Sequence, residues 1–264
     1  LERAEQQYLE IIKHNPEHLA AMNAYCALLV QLERFAEAEK IISRAIDISN
    51  SKQDASITAL YNSRGNLFKR MQKPDSAIKD FKAALEINPN YIAAANNIGT
   101  CYLIQGDIEQ AISSYQHAAK LDPQNPTNYL NLSIALIKSS KIEDARLALK
   151  QALEIAPDFS IAQRQLAEIE LETKNFADAR DYFIKYCANN PDDTATELAL
   201  SQCYIETAEY AKAETILKKI QDIDPNNADV NYLIATAYMH QSKYQDAMQH
   251  YHKQIELAPQ VRSF

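Results

Sequence analysis

The sequence predicts an all-α protein, an α-solenoid of stacked helix pairs. Three observations carry that prediction. The 264 residues hold only 3 Gly but 39 Ala. Pro89, Pro123, Pro157, Pro191, Pro225 and Pro259 follow one another at intervals of 34 residues. One alanine recurs at the same place in every interval. Tight sheet turns and phosphate-cradling loops need glycine where φ is positive. Gly65, Gly99 and Gly106 fall into neither a G-x-G-x-x-G nor a G-x-x-x-x-G-K pattern, which excludes dinucleotide and P-loop folds. Alanine, with leucine, glutamate, lysine and glutamine around it, favours helix. A hydrophobic fraction of 47% excludes a disordered chain.

The elements follow in chain order. Residues 1–18 form a half repeat, because Ala4 and Tyr8 ahead of Pro16 match the second helix of the later units. With proline as position 32, full repeats start at Leu19, Thr58, Ile92, Pro126, Ser160, Thr194 and Ala228, and together span residues 19–261. Residues 262–264 are a tail. Between Pro16 and Pro89 the count runs five residues over two periods. The proline marker is replaced by Asn50, and the extra residues lie in 50–54. Position 20 is Ala38, Ala77, Ala111, Ala145, Ala179, Ala213 and Ala247. Position 8 is small throughout: Cys26, Gly65, Gly99, Ser133, Ala167, Ser201 and Ala235. Position 24 is large and apolar: Ile42, Phe81, Tyr115, Leu149, Phe183, Leu217 and Tyr251.

Each unit therefore reads as two amphipathic helices, A and B. Small residues at 8 and 20 let the backbones approach, and the residue at 24 fills the groove beside them. Proline cannot continue helix B and separates it from the next unit. The A–B links are polar, as in Gln105-Gly106-Asp107. Glu170 replaces an apolar residue at position 11, which predicts looser packing there.

Net charge is −8, which disfavours nucleic acid as a partner. The middle third is basic and the C-terminal part acidic. Cys26, Cys101, Cys187 and Cys203 show no metal-ligand spacing and read as small buried apolar residues, favouring a reducing, cytoplasmic setting. No run of about 18 apolar residues exists, so direct membrane insertion is not expected. Residue 1 is Leu rather than Met, which fits a trimmed fragment that has lost a signal or anchor. Neither cofactor nor metal is expected. His250 and His252 are two apart on one helix, face different ways, and are expected to be exposed. No nucleophile, base and orienting group stand in a catalytic arrangement, so no enzyme is expected.

The seven in-register copies resemble the tetratricopeptide repeat (TPR) family over essentially the whole chain. One departure is position 4, often Trp in the family and here Tyr61 and Tyr129 in two copies. The resemblance implies a right-handed superhelix whose concave face, formed by helix A positions 2, 5, 6, 9, 12 and 13, holds another protein or a peptide segment. Those positions carry Asn23, Asn62, Asn66, Asn96, Asn97 and Asn131. Asparagine is a poor helix former, and its amide can pair with any peptide bond, as in the asparagine ladder of O-GlcNAc transferases. The bland alternative is that these amides are solvated or bridge neighbouring helices. Lys69 and Arg70 extend the face and could take an acidic group. Of the clamp of co-chaperone TPR domains, Asn66 and Asn97 match, but Asn62, Thr127 and Asn131 stand where bases belong. Chaperone-tail binding is therefore not expected. Arg164, Glu168 and Glu172, with Glu206 beyond, give the groove an acidic stretch, and Tyr232 offers an aromatic anchor. The expected function is a protein-interaction scaffold. The alternative is a substrate-recruiting arm of a larger enzyme such as a glycosyltransferase. The lack of polar caps predicts either that the natural chain continues or that its ends pair with another copy in end-to-end self-association, with Tyr251 and Ile255 partly exposed.

Overall fold

The computed structural model describes residues 2–257. Pro259, the end of the seventh repeat and the 262–264 tail lie outside the described residues. Among them there are fifteen α-helices and no strand. The first, α1 (Glu2–His14), is the lone B helix of the half repeat. Seven A–B pairs follow: α2 (Leu19–Gln31) with α3 (Phe35–Lys52), α4 (Ile57–Arg70) with α5 (Pro74–Ile87), α6 (Ile92–Gln105) with α7 (Ile108–Leu121), and α8 (Pro126–Lys138) with α9 (Ile142–Ile155). Then come α10 (Ser160–Glu172) with α11 (Phe176–Asn189), α12 (Thr194–Glu206) with α13 (Tyr210–Ile223), and α14 (Ala228–His240) with α15 (Tyr244–Leu257). None of these helices is long and apolar enough to cross a membrane.

The helices gather into two compact units, residues 1–148 and 149–264. In unit 1, α2 packs on α3, α4 on α5 and α6 on α7, and each B helix packs on the next A helix. The A helices also meet one another, α2 with α4, α4 with α6 and α6 with α8, which puts their shared face on the tighter side of the stack. In unit 2, α10 packs on α11, α12 on α11 and α13, and α14 on α12, α13 and α15.

The repeat register is visible in the packing. All seven position 20 alanines have 0% exposure. A Cβ built on Gly65 would lie 2.5 Å from Cε1 of Phe81, and one on Gly99 2.7 Å from Cε1 of Tyr115. The small residue at position 8 is thus the seat of the large one at 24. Glu170 is buried rather than loosely packed, and its carboxylate accepts a 2.8 Å bond from Asn175 Nδ2. Cys26, Cys101 and Cys203 are buried, and burial raises the Cys203 thiol to about 12; Cys187 is only half-buried.

Each proline before α2 and the later A helices lies in the turn, two residues after the B helix ends, as at Ile87 and Pro89. Asn50 tolerates helix where proline would not. As a result α3 runs through it to 18 residues, against 14 for the later B helices, and most of the insertion becomes helix. Gln53 closes it in the left-handed region (φ 54°).

The A–B links have one geometry that their polar composition did not announce. Position 15 has positive φ in all seven repeats: Glu33, Gln72, Gly106, Ser140, Lys174, Ala208 and Ser242, at 57–83°. The next residue's N–H reaches back to the position 11 carbonyl, for example Arg34 to Leu29 and Lys243 to Tyr238, both at 2.9 Å. This is the six-to-one bond of a Schellman C-cap. Only Gly106 takes that conformation free of strain. Nothing lies within 4 Å of a Cβ built on it.

Two outcomes follow from this geometry. Ala208→Gly should raise unfolding stability by about 0.5–1 kcal/mol, and Gly106→Ala should lower it by a similar amount, as read by urea titration. Gly65→Ala would add about 1 kcal/mol of helix propensity at an open site. Here it should destabilise the chain, because the fully buried Phe81 ring cannot move away.

Candidate functional site

The A-helix face of unit 1 carries asparagines on successive helices: Asn62 and Asn66 on α4, Asn96 and Asn97 on α6, and Asn131 on α8. Lys69 Nζ on α4 donates to Asn97 Oδ1 on α6 at 2.7 Å, and Asn97 Nδ2 donates to Asn62 Oδ1 on α4 at 3.1 Å. One repeat further, Asn131 Nδ2 on α8 reaches Asn96 Oδ1 on α6 at 3.4 Å. Asn96 Nδ2 donates to Asn128 Oδ1 at 2.8 Å. Asn128 is fully buried and gives its own amide to the Ala118 and Asp122 carbonyls at 3.2 and 2.9 Å.

The asparagines therefore bridge neighbouring A helices. This is the bland alternative of the sequence reading, but it leaves capacity over. Each amide has two donor hydrogens and accepts at more than one lone pair. Asn62, Asn96, Asn97 and Asn131 are all half-buried, so one side of the chain of amides faces solvent. Asn66 has the same half-buried placement, and among the described residues its side chain has no hydrogen-bond partner. Asn23 stands apart from the network, with its Oδ1 buried and unpartnered. Asn128 was not singled out from the sequence. Its signal was the i, i+3 spacing to Asn131.

Lys69 is a half-buried cation with an amide oxygen for a partner and, among the described residues, no carboxylate within ion-pair range. Burial lowers its pKa below the ordinary lysine value. Arg70 beside it is exposed and makes no ion pair. Nearby Arg64, outside the predicted set, is spent on structure. It holds the buried Asp80 carboxylate through two bonds of 2.7 and 2.8 Å.

In unit 2, Arg164, Glu168 and Glu172 line a cleft of about 200 Å³ with Leu171, Phe183, Ala195, Thr196 and Ala199. Arg164 lies 3.5 Å from Glu168 and 3.9 Å from Asp193, and its guanidinium stands over the Tyr186 ring at 5.9 Å. Burial raises the Glu168 pKa against the pull of Arg164, and Glu172 and Asp193 add to the rise. Burial also disfavours the Asp193 carboxylate. Bonds from Thr196 and Tyr186, with the Arg164 charge, outweigh that and leave its pKa low. Asp193 and Tyr186 were missed in the sequence because they sit in the loop and helix B beside the predicted positions. Glu206 is exposed. Tyr232 is 48% exposed, its ring 6.1 Å from that of Tyr251. Ile255 is also exposed, at 42%.

One predicted exposure is corrected. His250 is half-buried, because its ring packs against Tyr238 and Nδ1 lies 3.2 Å from the Oδ1 of buried Asn231. Asn231 Nδ2 is committed to the Asn227 carbonyl. Nδ1 must therefore be the donor, which fixes the histidine tautomer. His252 is exposed, as expected.

Removing the bridging amide separates structural from free asparagines. Asn97→Ala strands Lys69 and Asn62, so it should cost about 1 kcal/mol or more in thermal or denaturant unfolding. Asn66→Ala should change stability by no more than a few tenths of that.

Comparison with known proteins gives a consistent result. Tetratricopeptide repeat models match residues 1–53, 55–124 and, in overlapping stretches, 102–262. No curated protein sequence gives a significant match. The fold is similar to that of YrrB, a TPR protein with an unusual peptide-binding site: TM-score 0.64 and 19% identity over 69% of this chain and 93% of that one. It is also similar to pilF of Pseudomonas aeruginosa, with TM-score 0.65 and 16% identity over 81% and 96%. A tetratricopeptide repeat protein from Parabacteroides merdae aligns at TM-score 0.59 and 17% identity over 96% and 93%. The chain belongs to the tetratricopeptide repeat family, whose helical scaffold serves protein–protein interaction.

Proposed function

We propose that the A-helix face of unit 1 binds an extended segment of a partner protein. The observation that carries this is two sets of bridging amides, Asn62 with Asn97 and Lys69, and Asn131 with Asn96 and Asn128. Asn62, Asn97, Asn96 and Asn131 are held in fixed orientation by one another, so their remaining donors and acceptors are already placed for a peptide backbone. Asn66 adds a free amide on α4, and Asn23 stands one repeat earlier on α2. Lys69 and Arg70 then receive an acidic side chain of the segment. A carboxylate would restore to Lys69 the charge partner that burial has denied it. In unit 2, Arg164, Glu168 and Glu172 form a second, acidic contact surface, and Tyr232 offers an exposed ring to the partner. The peptide-binding site of the similar YrrB supports an occupant of this kind.

A pull-down with this chain as bait identifies the partner, and titration calorimetry then tests the face. Asn62→Ala with Asn97→Ala should weaken binding at least about tenfold, the loss of one to two hydrogen bonds. Lys69→Met with Arg70→Met should weaken it and flatten its salt dependence. Affinity should fall as pH rises through the lowered Lys69 pKa, because only the ammonium attracts the carboxylate. Unchanged affinity in both double variants would exclude this face.

A further inference from the structure

Unit 2 contains a second cleft, independent of the A-helix face. It lies among Lys150, Leu153 and Glu154 of α9, Pro157, Gln163 of α10, and Tyr182 and Lys185 of α11, and has a volume of about 380 Å³. Gln163, at position 4 of its repeat, is 1% exposed. Its Nε2 donates to the Pro157 carbonyl at 2.7 Å, but its Oε1 is buried without a partner.

The same position in the next two repeats is also polar and buried, but there helix B supplies a side-chain partner. Asn231 is answered by His250 at 3.2 Å; Lys219 answers Glu197 Oε1 at 2.7 Å, while Glu197 Oε2 is also buried without a partner. Lys185 occupies the same place in its repeat as Lys219, but its Nζ stands 5.6 Å over the Tyr182 ring and makes no bond to Gln163. A buried, unpaired acceptor is thus left on a residue that lines an open cleft, and an unpaired buried carbonyl is costly.

We propose that this cleft takes an aromatic side chain with a hydrogen-bond donor, the indole or phenol of a partner protein, whose N–H or O–H meets Gln163 Oε1. Leu153, Pro157 and Tyr182 supply the apolar walls. Two lysines against one glutamate at the mouth disfavour a cationic occupant, and a lysine ammonium is attracted to an aromatic face. An aromatic donor at position 4 is compatible with the neighbouring backbone, as the fourth repeat shows. In the fourth repeat, position 4 is Tyr129, whose hydroxyl donates to the Pro123 carbonyl at 3.3 Å. Oε1 is closed to solvent, so the occupant reaches it by displacing side chains of the cleft, among which Lys185 is exposed.

Two ligands that differ in a single donor test this on the unmodified protein. 3-Methylindole and 1,3-dimethylindole are titrated while the Leu153 methyl and Tyr182 ring signals are followed by NMR. 3-Methylindole should bind about fivefold more tightly or better, the worth of one hydrogen bond, with shifts centred on those residues. Gln163→Met should erase the difference while keeping the apolar binding. Equal affinities for the two ligands, shifts elsewhere or none, or a preference surviving Gln163→Met would each overturn the proposal. So would a water at Oε1 that persists at ligand saturation. If Gln163→Met fails to fold, the two-ligand comparison still decides.

Discussion

The structure depends first on the closure of each A–B pair. At position 15 the chain turns left-handed, and the next amide returns to the position 11 carbonyl. That bond sets the angle at which helix B leaves helix A. Only then can the alanine at 20 meet the small residue at 8 and the ring or branched chain at 24 seat itself on it. Six of the seven residues that make this turn are not glycine, at a conformational cost of about 1 kcal/mol each. The cost is tolerable because two backbone bonds and the buried seat behind them are formed in return. It also explains why Glu170 can occupy position 11: there the backbone carbonyl does the capping, and the side chain is free to vary if it finds its own partner, as it does in Asn175.

The fold was legible in the sequence wherever one requirement repeats. Proline at 32 and alanine at 20 each answer a constraint that no other residue type meets as well, so seven copies reveal it. The turn at position 15 was less legible because any residue can be forced left-handed when flanking bonds demand it. Gly106 alone carried the signal. Asn50 shows the reverse. The missing proline was visible, but its consequence, a longer α3, required knowing that the helix had nothing to stop it before Gln53.

The candidate site was legible in composition and less so in bonding. The asparagines could be counted onto the A-helix face from their positions. Whether their amides face a partner or one another depends on distances between helices, which no single helix encodes. The structure shows that they bridge, leaving part of each amide's hydrogen-bonding capacity over. Asn128 and Asp193 were not singled out for a related reason. Each lies just off the predicted face, and acts there by holding a residue that lies on it.

Position 4 shows how the same scaffold acquires different chemistry. Where it carries Tyr61 or Tyr129, a ring fills the space beside the preceding helix. Where it carries Gln163, Glu197 or Asn231, burial obliges a polar partner, because an amide or carboxylate removed from water without one is expensive. Helix B supplies that partner from position 23 for Asn231 and from position 26 for Glu197. The backbone register is indifferent to the choice, since position 20 and position 24 already secure the helix pair. A repeat can therefore exchange an apolar contact for a hydrogen-bonding one without loss of fold. Any repeat in which the exchange is half complete, as at Gln163, is left with a directional group that a partner molecule can satisfy.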